Sequence, residues 1–460
     1  MRLLFSLLII LLLAPLANAQ GLAEALQECP GTMTGSLQPE QIHLQITDAP
    51  DEMVVIWATE QRGNAVVEWN SQSGSNSATG ESYCYNHDKA FHMATMTGLT
   101  LGEEVNYRVG DGNVWSGEYT FTPYNPDADH FEWISIADHG LSSEALDVTD
   151  AIIADSSAQL VTISGDISYA DGDQNVWDEW FEAQEASMVS IPWVTAAGNH
   201  ENEPGYEFIP YQHRFDSDQV IESETFWYSR NIPGVHLVFM STEHEFTSGS
   251  PQYNWLQSDL QAANTPDARS ERPFIIVFGH SPMYSSNSYH GSEVELRDAL
   301  EALYVENGVN LVIAGHDHFY ERTWPVNDQK VSDKGDGNIF GQNHEPIHLV
   351  IGIGGRSAYE ELDEPQPEWS AYRENDTYGW TRFVYDDNTR ELQFTHHRID
   401  GTIGDSFTLQ ESFISAESEE SNALGIIGID SIFAIIAILS AALRKQRISI
   451  RTTFFESGTL

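Results

Sequence analysis

Seven side chains that can bind metal ions occur in five short polar segments, each directly after an apolar run. The segments are "ADHG", "GDISY", "GNHE", "GHSP" and "GHDHF", and the candidate ligands are Asp138, Asp166, Tyr169, Asn199, His280, His316 and His318. They offer carboxylate, phenol, carboxamide and imidazole donors without sulfur, which suits iron, zinc or manganese. Two such ions about 3.5 to 4 Å apart can clamp a phosphoryl group and activate water. The chemistry indicated is hydrolysis of a phosphoester.

Each segment alone has an ordinary structural explanation. "GNHE" or "ADHG" is more often a turn than a site. A lone histidine such as His280 is more often a hydrogen-bonded surface or core residue than a metal ligand. His316 and His318 are more ligand-like, because they alternate onto one side of an extended segment. Five segments in order, each after a strand-like run, together indicate one site.

The elements that must position these residues are those of an α/β domain, predicted from residue 130 to 413. Apolar runs such as "FEWISIA" and "FIIVFG" alternate with helices predicted in "SEALDVTDAIIAD" and "EVELRDALEALYV". In such domains ligands bind beyond the carboxyl ends of the strands. Glycines precede several candidate ligands, as at Gly165 and Gly315, and permit sharp turns there.

Residues 37–123 have a different pattern. Short alternating runs, among them "QIHLQI", "MVVIWAT" and "VNYRVG", are separated by polar turns. Trp57 and Tyr107 lie at positions typical of buried aromatic residues in a β-sandwich. The predicted fold is an N-terminal all-β sandwich followed by an α/β domain whose β-sheets are flanked by helices.

The ordered segments resemble those of the purple acid phosphatases, within the calcineurin-like metallophosphoesterases. The first ligands of successive segments are 28, 33, 81 and 36 residues apart, in the family's order. "WYSRNIPGVHLVFMSTE" and "QYNWLQSDL" are also similar, and residues 37–123 resemble the fibronectin type III-like domain of larger members. The resemblance covers residues 38–413. It implies an acid phosphatase that hydrolyses phosphomonoesters with a metal-bound hydroxide at a centre of Fe(3+) and a divalent ion, which is Zn, Mn or Fe.

The resemblance also implies individual roles. The ferric ion would be held by Asp138, Asp166, Tyr169 and His318, and the divalent ion by Asn199, His280, His316 and the bridging Asp166. His200 and His290 would contact the phosphate, and one of them would protonate the leaving alkoxide. Glu293 would orient His290.

Three positions depart from the family pattern. Tyr289 stands where plant members often have the first of two adjacent histidines, and Ile353 where many members have an aspartate. His139, next to the first ligand, is expected to point away from the metals. In the last segment Asp317 is also expected to face away, and the "FYER" tail is interpreted as support for the loop.

Both ends of the chain predict export and anchoring. Residues 1–19 have the basic, apolar and small-residue layout of a cleaved secretory signal. Residues 423–443 are long and apolar enough for a transmembrane helix, although Asp430 would be costly inside it. The "RKQR" that follows places residues 444–460 as a cytoplasmic tail and the large N-terminal part outside, with residues 414–422 as an acidic spacer. The alternatives are a terminal helix packed on the domain and a lipid-anchor signal.

The charge distribution excludes one class of partner. Sixteen of the 21 basic and 68 of the 70 acidic residues lie between Gln20 and Asn422, so this segment has a formal charge near -52. Nucleic-acid binding needs basic stripes, so a nucleic-acid partner is not expected. The partners predicted from the segments above are a small-molecule phosphoester at the metal donors and the membrane at the C-terminal helix. Cys29 and Cys84 are the two cysteines, and a secreted context favours a disulfide between them.

Two other functions stay open. The same ligands would serve a phosphodiesterase or nucleotidase, because the metal donors do not specify the ester. A surface binding protein with a vestigial metal domain is the alternative from another class. The presence of every family ligand argues against it.

Overall fold

The first part of the fold is the predicted β-sandwich. The computed structural model describes residues 29–30, 33–71, 74–155, 157–215, 226–336, 338–341, 344–359 and 361–411. The sandwich strands are β1 Glu40–Ile46, β2 Glu52–Thr59, β3 Val66–Ser71, β4 Gly74–Thr79, β5 Glu81–Tyr83, β6 Ala90–Thr97, β7 Val105–Gly110 and β8 Tyr119–Phe121. They form two antiparallel sheets with the orders β1-β2-β6-β5 and β4-β3-β7-β8. Trp57 and Tyr107 are both buried in its core, as expected.

Two seven-stranded sheets follow. Their strands, with one two-stranded hairpin, are β9 His130–Ile136, β10 Leu160–Ser164, β11 Trp193–Ala196, β12 Tyr228–Ile232, β13 Val235–Phe239, β14 Phe274–Phe278, β15 Leu311–Ala314, β16 Tyr320–Thr323, β17 Val326–Asn327, β18 Lys330–Val331, β19 Ile339–Gly341, β20 Ile347–Ile351, β21 Ser370–Glu374, β22 Gly379–Asp386, β23 Glu391–Arg398 and β24 Ile403–Gln410. The sheet orders are β11-β10-β9-β22-β23-β24-β19 and β12-β13-β14-β15-β20-β16-β21. Strands β9, β10 and β11 are parallel, and so are β13, β14, β15 and β20.

Helices connect many of these strands. They are α1 Ser143–Ala154, α2 Gln174–Met188, α3 Ile209–Arg214, α4 Pro251–Ala263, α5 Pro266–Glu271 and α6 Val294–Glu306, with a short 3-10 helix at Asn199–Glu201. Side chains cap several of them: Ser142 accepts from the third residue of α1, and Ser250 does the same for α4. The two helices predicted from the sequence correspond to α1 and α6.

The two large sheets pack face to face, and helices cover their outer faces. In β14, Phe274, Ile276 and Phe278 belong to the core between the sheets, whereas Ile275 and Val277 pack with the apolar side chains of α4 and α6. The other sheet is covered in the same way by α1 and α2. Because both faces of these strands are buried, they appear in the sequence as continuous apolar runs.

The sandwich packs against the α/β part to form one compact unit. The Tyr107 hydroxyl donates to the Val189 carbonyl at 2.8 Å, and Gln41 Nε2 donates to Asp178 Oδ1 at 2.8 Å. Cys29 and Cys84 form the predicted disulfide at the edge of the sandwich. The domain limits 37–123 and 130–413 stay predictions.

The segments predicted at the two ends lie outside the described residues. These are the signal peptide at 1–19, the spacer at 414–422, the transmembrane helix at 423–443 and the tail at 444–460. None of the helices in the described ranges combines the length and the apolar character needed to cross a bilayer.

The buried histidine His348 predicts that the folded protein loses stability at acidic pH. His348 on β20 packs 4.7 Å from the Tyr284 ring, and neither ring nitrogen has a hydrogen-bond partner in the described structure. Burial, helped by the positive charge of Arg297, lowers its pKa to about 3. Below pH ~6.5 the unfolded chain therefore binds a proton that the folded chain excludes, and stability falls until the pH reaches the folded-state pKa.

We expect His348→Met to remove this contribution. Between about pH 6.5 and 4.5 the wild-type protein should lose on the order of 2 kcal/mol more unfolding free energy than the variant. Urea denaturation at several pH values measures the difference. Ile403→Met, at a side chain 59% exposed, is the control and should keep the wild-type pH slope. An equal slope in His348→Met would refute the assignment.

Candidate metal centre

The predicted ligands meet at the carboxyl ends of five parallel strands. Asp138 follows β9, Asp166 and Tyr169 follow β10, Asn199 follows β11, His280 follows β14, and His316 and His318 follow β15. Three of these strands belong to one seven-stranded sheet and two to the other. The site therefore lies where the edges of the two sheets converge.

The backbone of these loops is unusual. Asp138, Asp166, Tyr169 and His316 all have left-handed backbone conformations, with φ between 52° and 69°. Such conformations are uncommon for residues other than glycine and concentrate at functional sites. At Gly315, a Cβ atom would lie 2.3 Å from Asp138 Oδ2, so only glycine permits this close approach.

One group of donors surrounds the side-chain oxygen of Asn199. His316 Nδ1 lies 2.9 Å and His280 Nε2 3.1 Å from Asn199 Oδ1. His280 Nε2 is also 3.2 Å from Asp166 Oδ1. Donor atoms of Asp166, His280 and His316 all lie within 4.8 Å of one another, a spacing that a single metal ion can bridge.

A second group lies beside it. The Tyr169 hydroxyl is 3.1 Å from Asp138 Oδ1 and 3.0 Å from His318 Nε2, and that nitrogen is 3.4 Å from the same carboxylate oxygen. Asp138 is fully buried, and Tyr169 and His318 are buried almost completely. The structure thus brings all seven predicted donors together in two adjacent groups.

The orientation of the imidazoles fits a bound cation. Nδ1 of His280 donates to the Ser164 carbonyl, and Nδ1 of His318 donates to the Ser357 carbonyl, both at 2.8 Å. In the neutral rings each Nε2 then presents a lone pair to the side-chain oxygens of the other donors. Buried lone pairs that converge in this way are stabilised by a metal ion.

The charges of the surrounding side chains also favour a bound cation. Burial, together with the carboxylates of Asp138 and Asp166, raises the pKa of Tyr169 well above its ordinary value. The Arg356 guanidinium, 4.2 Å over the Tyr169 ring, opposes this only in part. A phenolate here therefore needs a cation of high charge. Although burial disfavours both ions, His280 holds the pKa of Asp166 well below its usual range, and Asp166 raises that of His280.

Glu201 supports the site, and the sequence interpretation gave it no role. Its Oε2 accepts from the backbone N–H of Asp166 at 2.8 Å and of Gly198 at 2.7 Å, while Oε1 accepts from Ile167 at 2.8 Å. The side chain is fully buried and ties the loop after β10 to the loop after β11. An acid three residues after the N-cap of a short helix, as in a capping box, was the available sign.

Glu321 does the same for the loop that follows His280. Its carboxylate accepts from the backbone N–H of Ser286 at 2.7 Å, from the Ser286 hydroxyl at 2.6 Å and from the Ser370 hydroxyl at 2.5 Å. This agrees with the support expected from "FYER". Asp317 faces away from the donors, buried against the Ser285 hydroxyl, and burial raises its pKa to about 7.

The two histidines predicted to contact phosphate, His200 and His290, lie beside the donors. Nδ1 of His200 is 2.6 Å from Asp171 Oδ1, and the His290 ring is 4.3 Å from the His316 ring. Glu293, expected to orient His290, is the N-cap residue before α6, and no hydrogen bond joins its side chain to His290 among the contacts of the described residues. In the described structure His290 Nε2 instead contacts the Tyr359 hydroxyl at 3.3 Å.

The other two departures from the family pattern have structural explanations. His139 is fully buried and accepts a 3.0 Å hydrogen bond from Trp180 Nε1, so it points toward α2 as expected. Burial lowers its pKa to about 4. Ile353 is buried in the core between the large sheets.

Comparison with known proteins assigns the chain to a family. Three family models match in succession: the purple acid phosphatase N-terminal domain at residues 39–123, calcineurin-like phosphoesterase at 130–320, and iron/zinc purple acid phosphatase-like protein C at 345–406. Acid phosphatase type 7 from Danio rerio is 31% identical over 387 residues, which cover 76% of this chain and 86% of that protein. The chain belongs to the purple acid phosphatase family.

Other relatives of this phosphatase agree. A purple acid phosphatase from Glycine max is 30% identical over 403 residues, which cover 81% of this chain and 84% of that protein. The solved structure of purple acid phosphatase PPD1 from yellow lupin superposes with a TM-score of 0.74 at 23% identity, over 81% of this chain and 74% of that one. The predicted family and the enzyme class, phosphoric monoester hydrolase, are confirmed, and the shared fold includes the sandwich and the α/β domain.

We expect the phosphatase to depend on Glu201 for stability. Glu201→Ala leaves three buried N–H groups without acceptors, which should cost about 3 kcal/mol or more. Glu201→Gln keeps one acceptor oxygen and should cost less. Urea denaturation of the chelator-treated protein measures both, and metal analysis should show reduced loading in the same order. Glu179→Gln, on the exposed side of α2, is the matched control. A loss below about 1 kcal/mol in Glu201→Ala would contradict this role.

Proposed function

We propose that this protein is an acid phosphatase that hydrolyses phosphomonoesters at a dinuclear metal centre. The observation that supports it most directly is the arrangement of seven donors in two adjacent groups, in which five donors are buried and Asn199 and His316 are half-buried. One ion, ferric iron, would be held by Asp138, Asp166, Tyr169 and His318. The other, divalent zinc, manganese or iron, would be held by Asn199, His280, His316 and the shared Asp166. When bound, the two ions supply the Lewis acidity that activates water and neutralises charge on the phosphoryl group.

The neighbouring side chains would handle the rest of the substrate. Nδ1 of His200 lies 2.6 Å from Asp171 Oδ1, which orients the ring, and Nε2 lies 3.8 Å from Asp166 Oδ2. From this position the ring would form a hydrogen bond to a phosphoryl oxygen. His290 is exposed at the edge of the donors and would donate its proton to the leaving oxygen. The second candidate, a phosphodiesterase, would need room for a second ester group at the phosphorus.

We also propose that the enzyme follows the secretory route and acts outside the cytoplasm. The layout of residues 1–19 and the Cys29–Cys84 disulfide support export. Anchoring by residues 423–443 stays a prediction from the sequence.

Metal analysis and two substrates test the proposed function together. The purified protein should contain two metal ions per chain, show a visible charge-transfer band, and turn over p-nitrophenyl phosphate in preference to bis-p-nitrophenyl phosphate. Tyr169→Phe should abolish the band while most of the metal remains, because only the phenolate is lost. A strong diester preference would favour the phosphodiesterase. Fewer than one metal per chain without activity would favour a binding protein.

The acidic surface predicts a salt effect on substrate capture. A segment with a charge near -52 repels phosphate dianions at long range, and salt screens that repulsion. The KM for p-nitrophenyl phosphate should therefore fall several-fold between about 20 mM and about 500 mM NaCl. Sucrose at matched viscosity is the control for non-ionic effects. A KM that stays flat or rises with salt would contradict the prediction.

A further inference from the structure

Three aromatic side chains, Tyr289, His290 and Tyr359, lie in contact beside the metal donors; we call them the aromatic wall. The Tyr289 ring is 4.5 Å from His290 and 4.9 Å from Tyr359, and the latter two rings are 5.6 Å apart. His290 packs 4.3 Å from the His316 ring, and Tyr359 stacks 4.3 Å over His318 with the planes 17° apart. The wall therefore runs outward from one candidate ligand of each metal group.

Tyr289 is the outermost ring and is not a core residue. Its side chain is 70% exposed, the highest value among the exposed large hydrophobic side chains of the described structure. A single exposed aromatic residue needs no explanation. This one, however, touches two rings that each touch a candidate ligand, and it stands where the sequence departs from the family pattern.

The backbone that carries the wall is fixed from several sides. Ser288 N–H donates to the Glu361 carbonyl at 3.1 Å, and Asp363 N–H donates to the Ser286 carbonyl at 2.8 Å, so the two loops that carry the wall are hydrogen-bonded together. Tyr359 N–H donates to the His318 carbonyl at 2.9 Å, and Tyr289 N–H donates to Asn287 Oδ1 at 2.8 Å. A ring presented on a fixed backbone loses little entropy when a ligand stacks on it.

We propose that the aromatic wall is a leaving-group subsite that selects phosphomonoesters whose alcohol carries a planar aromatic ring. The proposal rests on the proposed function, because it requires the phosphoryl group to lie at the metal donors. In the proposed function His290 lies beside the leaving oxygen, so a group attached to that oxygen would lie near the rings that contact His290. Among those rings are Tyr289 and Tyr359.

The reaction itself is ordinary hydrolysis, and the subsite changes only which ester is bound best. One water molecule forms the new P–O bond, the P–O bond to the leaving group breaks, and the leaving oxygen takes a proton to give the free alcohol and orthophosphate. A flat ring can stack on the face of Tyr289, whereas a saturated ring of the same size cannot make the same contact.

Two esters that differ in planarity test the subsite. Benzyl phosphate and cyclohexylmethyl phosphate both release primary alcohols with seven carbon atoms, so their leaving groups are closely matched in size. We expect the wild-type enzyme to show a kcat/KM about three- to tenfold higher for the benzyl ester. Tyr289→Phe should keep this preference, and Tyr289→Leu, which keeps apolar volume but no ring, should remove it without changing metal content or the visible band.

Controls separate the subsite from the proposed function. Tyr253→Leu, at a half-buried tyrosine of α4, should behave as wild type. Benzylphosphonate and cyclohexylmethylphosphonate, which are not hydrolysed, measure selectivity by calorimetric binding alone. If the protein binds the benzyl compound selectively, loses this selectivity in Tyr289→Leu and turns over neither ester, the phosphatase assignment is wrong and the subsite is supported. Turnover of both esters without preference, or a preference that survives in Tyr289→Leu, would overturn the subsite and leave the phosphatase.

Discussion

The direction of five parallel strands in two sheets is the constraint on which the site depends. Strands β9, β10 and β11 of one sheet and β14 and β15 of the other end at a common edge, and each ends in a donor. A shared apolar core joins the two sheets. Each sheet adds a stacked aromatic pair to it, Trp133 on Phe383 in one and Phe239 on Phe278 in the other. Because packed interiors deform little, donors far apart in sequence stay within hydrogen-bonding distance of one another.

The conformation of the loops that hold these donors is unfavourable in free energy, and the buried carboxylates of Glu201 and Glu321 offset much of this. The left-handed backbone at four ligand positions and the convergence of negative and lone-pair atoms both favour opening of the loops. Glu201 and Glu321 counter this: Glu201 accepts three hydrogen bonds from the loops after β10 and β11, and Glu321 accepts two from Ser286 in the loop after β14 and one from Ser370 on β21. Neither carboxylate lies among the metal donors. The loops are therefore fixed by the protein itself, and a metal ion meets a site that is already formed.

The sequence predicted what is local and missed what is not. Strand β14 is visible because "FIIVFG" is buried on both faces, and the donor after it is visible because its type stands out there. Helix α2 was not predicted, although Trp177 and Trp180 lie on one face and Asp173 caps it. The contact of Glu201 with Asp166, like that of His290 with Tyr359, joins residues 35 and 69 positions apart. A single sequence contains no sign of which residues so far apart will pair, and the role expected of Glu293 stays a prediction.

Tyr289 and Tyr359 lie further along the chain from the strand ends than the donors do, which explains how specificity can differ among enzymes with one metal centre. The donors are bound to strand ends and to the core, so a change there would disturb the whole edge. Tyr289 and Tyr359 lie on loops joined by backbone hydrogen bonds, which depend on no particular side chain. Those positions can exchange an imidazole for a phenol while the donors stay in place. The departure at Tyr289 is therefore where a difference in substrate preference should arise, and the aromatic wall follows from it.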